Sequence, residues 1–545
     1  MRPTDTPHPP WFDAVMPTRD QCVLGPLLDH WASRKPQSTF AMFEDGTAWT
    51  WQETRQQVRA TAQALQSLGV KKGDAVIAWL PNGQAMFLMW FACNYIGAVF
   101  VPVNTSYRGA LLEHVIANSG ARLMVCHHGL VQRLQGIGLS QLEHVVIQGP
   151  TPADIALQEC RLLTSESLQG DGELLAPVAP IEPWDTHGII YTSGTTGPSK
   201  GVLTSYLHVR TTSIACYGYI GQEDRILVNL PMFHVGGTTS IYAALVRGAS
   251  FVLVDAFNSR TFWSQIRTTG CTTTAGLIGV MAEFLAKAPP SPQDDDNPLR
   301  IVTLAPVSAQ TVELAGRYRF DYVTGFNMTE VSVPLVAELN TRAFGSCGRP
   351  RTGVHCRLVN EHDIEVPDGE PGELILRTDL PWAITTGYNA MPEATARAWR
   401  NGWFHTGDIF RKDREGNYYF IDRAKDAIRR RGENISSLEV EREVLAHPSV
   451  QEAAALPVPN EDGEDDVMVV LAAKPGTVID EAELLGFLIP RMAHFMVPRY
   501  LRILPELPKT PTNKVQKLEL RRQGITSDTW DRERAGISVR RERLD

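Results

Sequence analysis

One stretch limits what this chain can fold into more than any other: YTSGTTGPSKG, from Tyr191 to Gly201. The segment before it, HGIIYT, is apolar and β-branched and reads as the end of a strand. The stretch gathers Gly194, Gly197 and Gly201, the hydroxyls of Thr192, Ser193, Thr195 and Thr196, and the ammonium of Lys200. A strand entering such a loop makes a phosphate cradle, because backbone N–H groups approach closely where no Cβ intrudes. The GxxxxGK[ST] spacing of a Walker A loop is absent. Taken alone, the same stretch also reads as a surface turn, and its company along the chain decides between the two.

The chain has 545 residues, more than one ordinary core serves, so two or more domains are expected. A formal net charge of -9 argues against a general nucleic-acid binder. The eight cysteines are scattered without a CxxC pair, which points to free thiols in a reducing compartment rather than a disulfide framework or zinc site. No apolar leader opens the sequence, and a cytoplasmic location is expected. The uncharged run from Ala85 to Val103 approaches a membrane-spanning length. Asn94, Gly97 and Pro102 interrupt it, so a buried helix followed by a buried strand is expected, with no membrane span.

Helical and extended patterns alternate through the first half. TFAMFEDGTAWTW reads as a hairpin turning at Asp45-Gly46, and apolar spacing predicts a helix from Gln52 to Leu68 that stops at Gly69. DAVIAWLP, RLMVCH and ASFVLVDAF read as strands. From about Gly345 to Asp413 short strands and tight turns predominate, and beyond Asp422 a charged strand-turn, an amphipathic helix and further strands begin anew. The fold class expected is α/β: a large N-terminal domain over 1–422, of α/β subdomains and a β-rich subdomain, then a small mobile α+β domain over 423–526. Residues 527–545 read as a charged, unstructured tail.

Taken in order, six further stretches resemble those of one family. The chain is similar to the adenylate-forming enzymes, which include acyl-CoA synthetases, luciferases and the adenylation domains of peptide synthetases. RGENIS and FHVGG look most like the carnitine/crotonobetaine-CoA ligase and medium-chain branches. The resemblance implies an ATP-dependent ligase that activates a small carboxylic acid as acyl-AMP, releases pyrophosphate, and passes the acyl group to coenzyme A. ATP, Mg²⁺ and coenzyme A are the implied cofactors. It leaves open an enzyme that loads a carrier protein, or an inactive binding homologue, and does not specify the oligomeric state.

The resemblance also assigns roles. In the Gly-rich loop, Thr192, Ser193, Gly194, Thr195, Gly197 and Lys200 would hold ATP, with Thr196 counted among the catalytic residues. His234 of LPMFHVGG would shape the carboxylate pocket. Ala305 and Pro306 of LAPV would underlie adenine, although the family usually has glycine where this chain has Leu304. In GFNMTE, Phe326 would stack on adenine beside Asn327, Thr329 would touch the α-phosphate, and Glu330 would hold Mg²⁺ as a hard oxygen ligand. Asp408 of GWFHTGD and Arg423 would take the ribose. Lys425 would be the hinge, Gly432 would line the pantetheine tunnel, and Lys514 of PTNKVQK would be the catalytic lysine. Arg429, Arg430 and Arg431 are either a solvated run or an attraction for coenzyme A phosphates.

Overall fold

The computed structural model describes residues 16–152, 155–157, 160–174, 179–192, 198–278, 281–423, 427–430, 433–461, 463–508 and 515–539, with backbone alone at 422, 423, 427, 434, 438 and 518. Period-two alternation sets the strand Ala75–Trp79 between two layers, Val76 and Ala78 facing one core and Ile77 and Trp79 the other. It lies in the middle of a seven-stranded sheet. The order is Arg161–Thr164, His144–Gln148, Leu123–His127, Ala75–Trp79, Val99–Pro102, Thr186–Thr192 and Lys200–Ser205. Every neighbouring pair is parallel except the last.

A five-stranded sheet runs Thr273–Thr274, Arg225–Val228, Ser250–Leu253, Thr39–Phe43 and Ala48–Thr50. The helices Leu24–Arg34, Trp51–Ser67, Gln84–Tyr95, Tyr206–Tyr217 and Val235–Arg247 share one core with both sheets. Trp51–Ser67 starts where the sequence predicts, because Thr50 caps it: Glu53 N–H donates to Thr50 Oγ1 at 3.1 Å, and Thr50 N–H to the Glu53 carboxylate at 2.7 Å. The uncharged segment divides as expected into Gln84–Tyr95 and the fully buried strand Val99–Pro102. Among the described residues no helix is long and apolar enough to cross a membrane.

On the far side of the five-stranded sheet, Leu227, Val252 and Phe262 share a core with Leu277, Val302 and Leu304 of a small parallel sheet. That sheet comprises Leu277–Ile278, Ile301–Ala305 and Asp321–Val323. The β-rich portion is an antiparallel meander of Val354–Val359, Gly372–Thr378, Phe404–Lys412 and Tyr418–Arg423. After it come the hairpin Ala427–Arg430/Glu433–Ser436 and the helix Ser437–Leu445. A sheet of Val450–Pro459, Asp465–Ala473, Tyr500–Leu504 and Trp530–Asp531 completes the small domain.

Two expectations change. The charged tail is not unstructured over 527–539: Trp530–Asp531 pairs with Tyr500–Leu504, Arg532 is buried, and Trp530, Ile537 and Val539 pack on the small domain's side of the second core. Its charges are used locally, Arg499 meeting Asp531 at 3.5 Å and Glu533 at 3.4 Å. The arginine run is not uniformly solvated either. Arg430 is 4% exposed, pairs with Asp466 at 3.0 Å and donates to the carbonyl of Val497, so its guanidinium belongs to the small domain's interior. Arg431 lies outside the described residues.

Candidate active site

The Gly-rich stretch sits at the tip of an antiparallel pair, Thr192 opposite Lys200. Ser193, Gly194, Thr195, Thr196 and Gly197 lie outside the described residues, so the structure defines the neck of the loop. Ser199 closes it: its hydroxyl donates to Thr192 O at 2.8 Å, and its carbonyl lies 2.8 Å from His114 Nε2. A further strand-like segment flanks the outgoing strand. Val202 bridges Tyr388, Leu203 N–H donates to Gly387 O at 3.0 Å, and Asn389 N–H donates to Gly201 O at 2.7 Å. The side-chain amides of Asn118 and Asn389 each donate to the other's carbonyl, at 2.9 and 2.7 Å.

The segment at Tyr388 brings the lysine of the loop and the glutamate of GFNMTE to one place. Lys200 Nζ lies 4.8 Å from the centre of the Tyr388 ring, and the Tyr388 hydroxyl donates to Glu330 Oε1 at 3.0 Å. Burial, reinforced by the Glu330 carboxylate, holds the Tyr388 phenol well above its ordinary pKa, so it remains a donor. Glu330 is 6% exposed and Thr329 9% exposed. Phe326 stands edge-on to Phe410 with centroids 4.9 Å apart, and Asn327 accepts from Val333 N–H at 2.9 Å. Val333 has φ +48°, a strained position for a β-branched residue, and this bond helps to hold it.

Ala305 ends the strand Ile301–Ala305, opposite Ile278 on the parallel neighbour, and Pro306 follows it. Leu304, the departure from the family's glycine, faces away into the hydrophobic core with no exposed surface, so its bulk does not intrude where adenine is expected. Asp408 and Arg423 are cross-strand partners on the meander, and the Asp408 side chain is on residue 4% exposed. The turn before Asp408 is fixed by Gly407, at φ +72°, whose N–H donates to Glu373 Oε1 at 3.0 Å. The Arg423 side chain lies outside what is described.

His234 caps the helix Val235–Arg247 and faces the small domain. Its Nε2 lies 3.0 Å from Glu433 Oε2, while Glu433 Oε1 accepts from the Asn104 amide at 3.1 Å. Burial disfavours the imidazolium, but the Glu433 carboxylate outweighs it and raises the His234 pKa above its ordinary value. A second carboxylate of the small domain, Glu439, accepts the N–H of Ser199 at 2.8 Å. Burial pushes Glu439 up to about 7, against the pull of that N–H and of Arg442. The hairpin at Glu433 thus lies against the His234 pocket and the helix at Glu439 against the loop neck. Lys425, Gly432 and Lys514 lie outside the described residues.

The structure therefore brings Lys200 and Glu330, with its neighbour Thr329, together at the neck of the loop, while the small domain sets Glu433 against His234 and Glu439 against the N–H of Ser199. Tyr388, Glu433 and Glu439 were not singled out from sequence. Glu433 and Glu439 belong to a stretch that reads as a charged strand-turn and an amphipathic helix without marking either carboxylate, and Tyr388 lies in GYNAMPEAT, which carries no recognisable nucleophile, base or ligand set.

The pattern of the AMP-binding enzyme family matches residues 28–389, and that of the AMP-binding enzyme C-terminal domain matches 439–514. The chain is 31% identical over 479 residues to a crotonobetaine/carnitine--CoA ligase of Salmonella arizonae, covering 85% of this chain and 91% of that one. A protein of the same description from Escherichia fergusonii is 30% identical over 481 residues, covering 86% and 92%. Among solved structures, the Bacillus subtilis o-succinylbenzoate CoA synthetase bound to its product analogue superposes with a TM-score of 0.76 at 22% identity, covering 91% of this chain and 98% of that one. A Mycobacterium tuberculosis fatty acyl CoA synthetase gives 0.64 at 24% identity, covering 93% and 99%.

Proposed function

The chain belongs to the AMP-binding enzymes and is an ATP-dependent acid–CoA ligase acting through an acyl-adenylate, and from that premise we propose which residues do the work and on what acid. The observation that carries the assignment is the joining of Lys200 and Glu330 through Tyr388 at the neck of the Gly-rich loop. Bringing a carboxylate against ATP places two anions together, and charge accumulates on the α-phosphate in the transition state. The loop residues Thr192, Ser193, Gly194, Thr195, Thr196 and Gly197 with Lys200 receive the phosphates. Thr329 takes the α-phosphate, Asp408 and Arg423 the ribose hydroxyls, and Ala305, Pro306, Phe326 and Asn327 the adenine. Lys514 supplies the charge that stabilises the first step.

Glu330 fits a Mg²⁺ site: it is a nearly buried hard-oxygen donor, and Mg²⁺ commonly takes one or two carboxylates with substrate phosphates as the rest of its shell. When bound, that cation would neutralise phosphate charge. The second step needs a thiol path where the first needed a lysine, so the small domain, which begins at 423 and takes in the strand Trp530–Asp531, turns about Lys425 between the two and Gly432 lines the path. The seating of the Glu433 hairpin against His234 supports the thiol-transfer arrangement. The acid is short or medium in length, with crotonobetaine and carnitine the first to test because the relatives carry those names. A cytoplasmic location goes with this chemistry and with the scattered free cysteines. The test is acyl-CoA formation across a graded acid panel. Turnover confined to these acids supports the assignment, and turnover confined to long-chain or aromatic acids contradicts it.

A further inference from the structure

We propose that Tyr388 is a positioning residue that holds the metal-side carboxylate and the phosphate-side lysine of this site apart, one on its hydroxyl and the other on its ring face. The inference rests on the reading of Glu330 and Lys200 given above. A carboxylate and an ammonium in a poorly solvated cleft attract strongly and, once paired, neutralise the two charges the nucleotide needs. A phenol between them satisfies both without joining them. Its O–H donates to Glu330 Oε1 at 3.0 Å, and its π-face receives Lys200 Nζ at 4.8 Å from the ring centre. The phenol's hydrogen bond to Oε1 thus fixes the orientation of the carboxylate that would hold the cation.

The backbone makes this arrangement stiff. Tyr388 bridges Val202 two residues after Lys200, so ring and ammonium are set by one local pairing. Thr385 N–H donates to Glu330 O at 2.8 Å, tying the same segment to the backbone of the glutamate. Tyr388 N–H donates to Thr395 Oγ1 at 2.9 Å, and the preceding Gly387, at φ +145°, admits Thr395 where a Cβ would lie 2.6 Å from its methyl. Tyr388 itself is 7% exposed.

Hydroxyl and ring are separable by substitution. Binding of α,β-methylene ATP to the full-length protein is measured by calorimetry with Mn²⁺ and again with EDTA, with thermal unfolding as the check on folding. Tyr388→Phe is expected to leave metal-free binding within about twofold and to cut the tightening by Mn²⁺ about tenfold, since a hydrogen bond to a charged group is removed. Tyr388→Leu should also loosen metal-free binding about threefold, through loss of the ring face. Adding Tyr388→Phe to Glu330→Gln should cost nothing further, because one acts through the other. Full Mn²⁺ tightening in Tyr388→Phe, or additive losses in the double variant, would overturn the proposal. No Mn²⁺ effect in the unaltered protein would overturn the metal role of Glu330 and this proposal with it.

Discussion

At the scale of single residues, Lys514 and two buried histidines make opposite kinds of prediction. Lys514 is expected to act in the first step only. Lys514→Ala should slow adenylation by about 10²–10³-fold, the cost of one charge-stabilising donor, and leave thioester formation from supplied acyl-adenylate intact. Parallel half-reaction assays check this. His187 and His208 bear on stability instead. His187 accepts from Trp90 Nε1 at 3.0 Å and lies 3.1 Å from the Thr204 hydroxyl, and burial pushes its pKa down to about 3. Burial pushes His208 down to about 4. Both titrate near 6.5 when unfolded, so below that pH the unfolded chain takes up protons the native one refuses. Stability is therefore full above about pH 6.5 and falls as pH drops towards 4, by about 1.4 kcal/mol per histidine at pH 5.5. Urea unfolding at pH 7.5 and 5.5 should show the loss, and His187→Gln should make it shallower.

At the scale of elements, much of the framework is written locally. Asp45-Gly46 makes a hairpin, the Thr50/Glu53 box starts a helix, and Gly69 ends it, each through contacts a few residues apart. The neck of the Gly-rich loop was also legible, because a strand entering glycines and hydroxyls signals itself. Tyr388 was not, since its role arises from pairing with Val202 far away in sequence. Leu304 departs from the motif's usual glycine, and only the strand's direction in the fold shows that its side chain enters the core. Charge density misread 527–539, because the apolar Trp530, Ile537 and Val539 are spaced among charges that pair with Arg499. Deleting residues 527–545 should destabilise the small domain by about 2–4 kcal/mol, from those half-buried side chains. Proteolysis rates of the small domain in the shortened and full chains would reveal it, and unchanged resistance would count against the tail's structural role.

At the scale of the whole molecule, the small domain meets the large one through a shared apolar cluster, in which Leu111, Leu112 and Val115 lie in the same core as Val440, Met492 and Met496, and through polar contacts gathered around the site. Glu433 bonds Asn104 and His234, Glu439 takes the N–H of Ser199, and Ser106 Oγ lies 3.4 Å from His494 Nδ1. A domain that turns between steps has to part both these polar contacts and that apolar one. Cross-linking a Ser106→Cys/His494→Cys pair should abolish adenylation while sparing transfer of a supplied acyl-adenylate to coenzyme A. Equal loss of both would contradict alternation.

The most direct measurement is pyrophosphate release with ATP, Mg²⁺ and a panel of carboxylic acids, with and without coenzyme A. Release that requires a short or medium acid, and that coenzyme A accelerates with matching acyl-CoA formation, is the predicted result. Acid-dependent release with no acyl-CoA formed, or no release with any acid while ATP still binds, would contradict it.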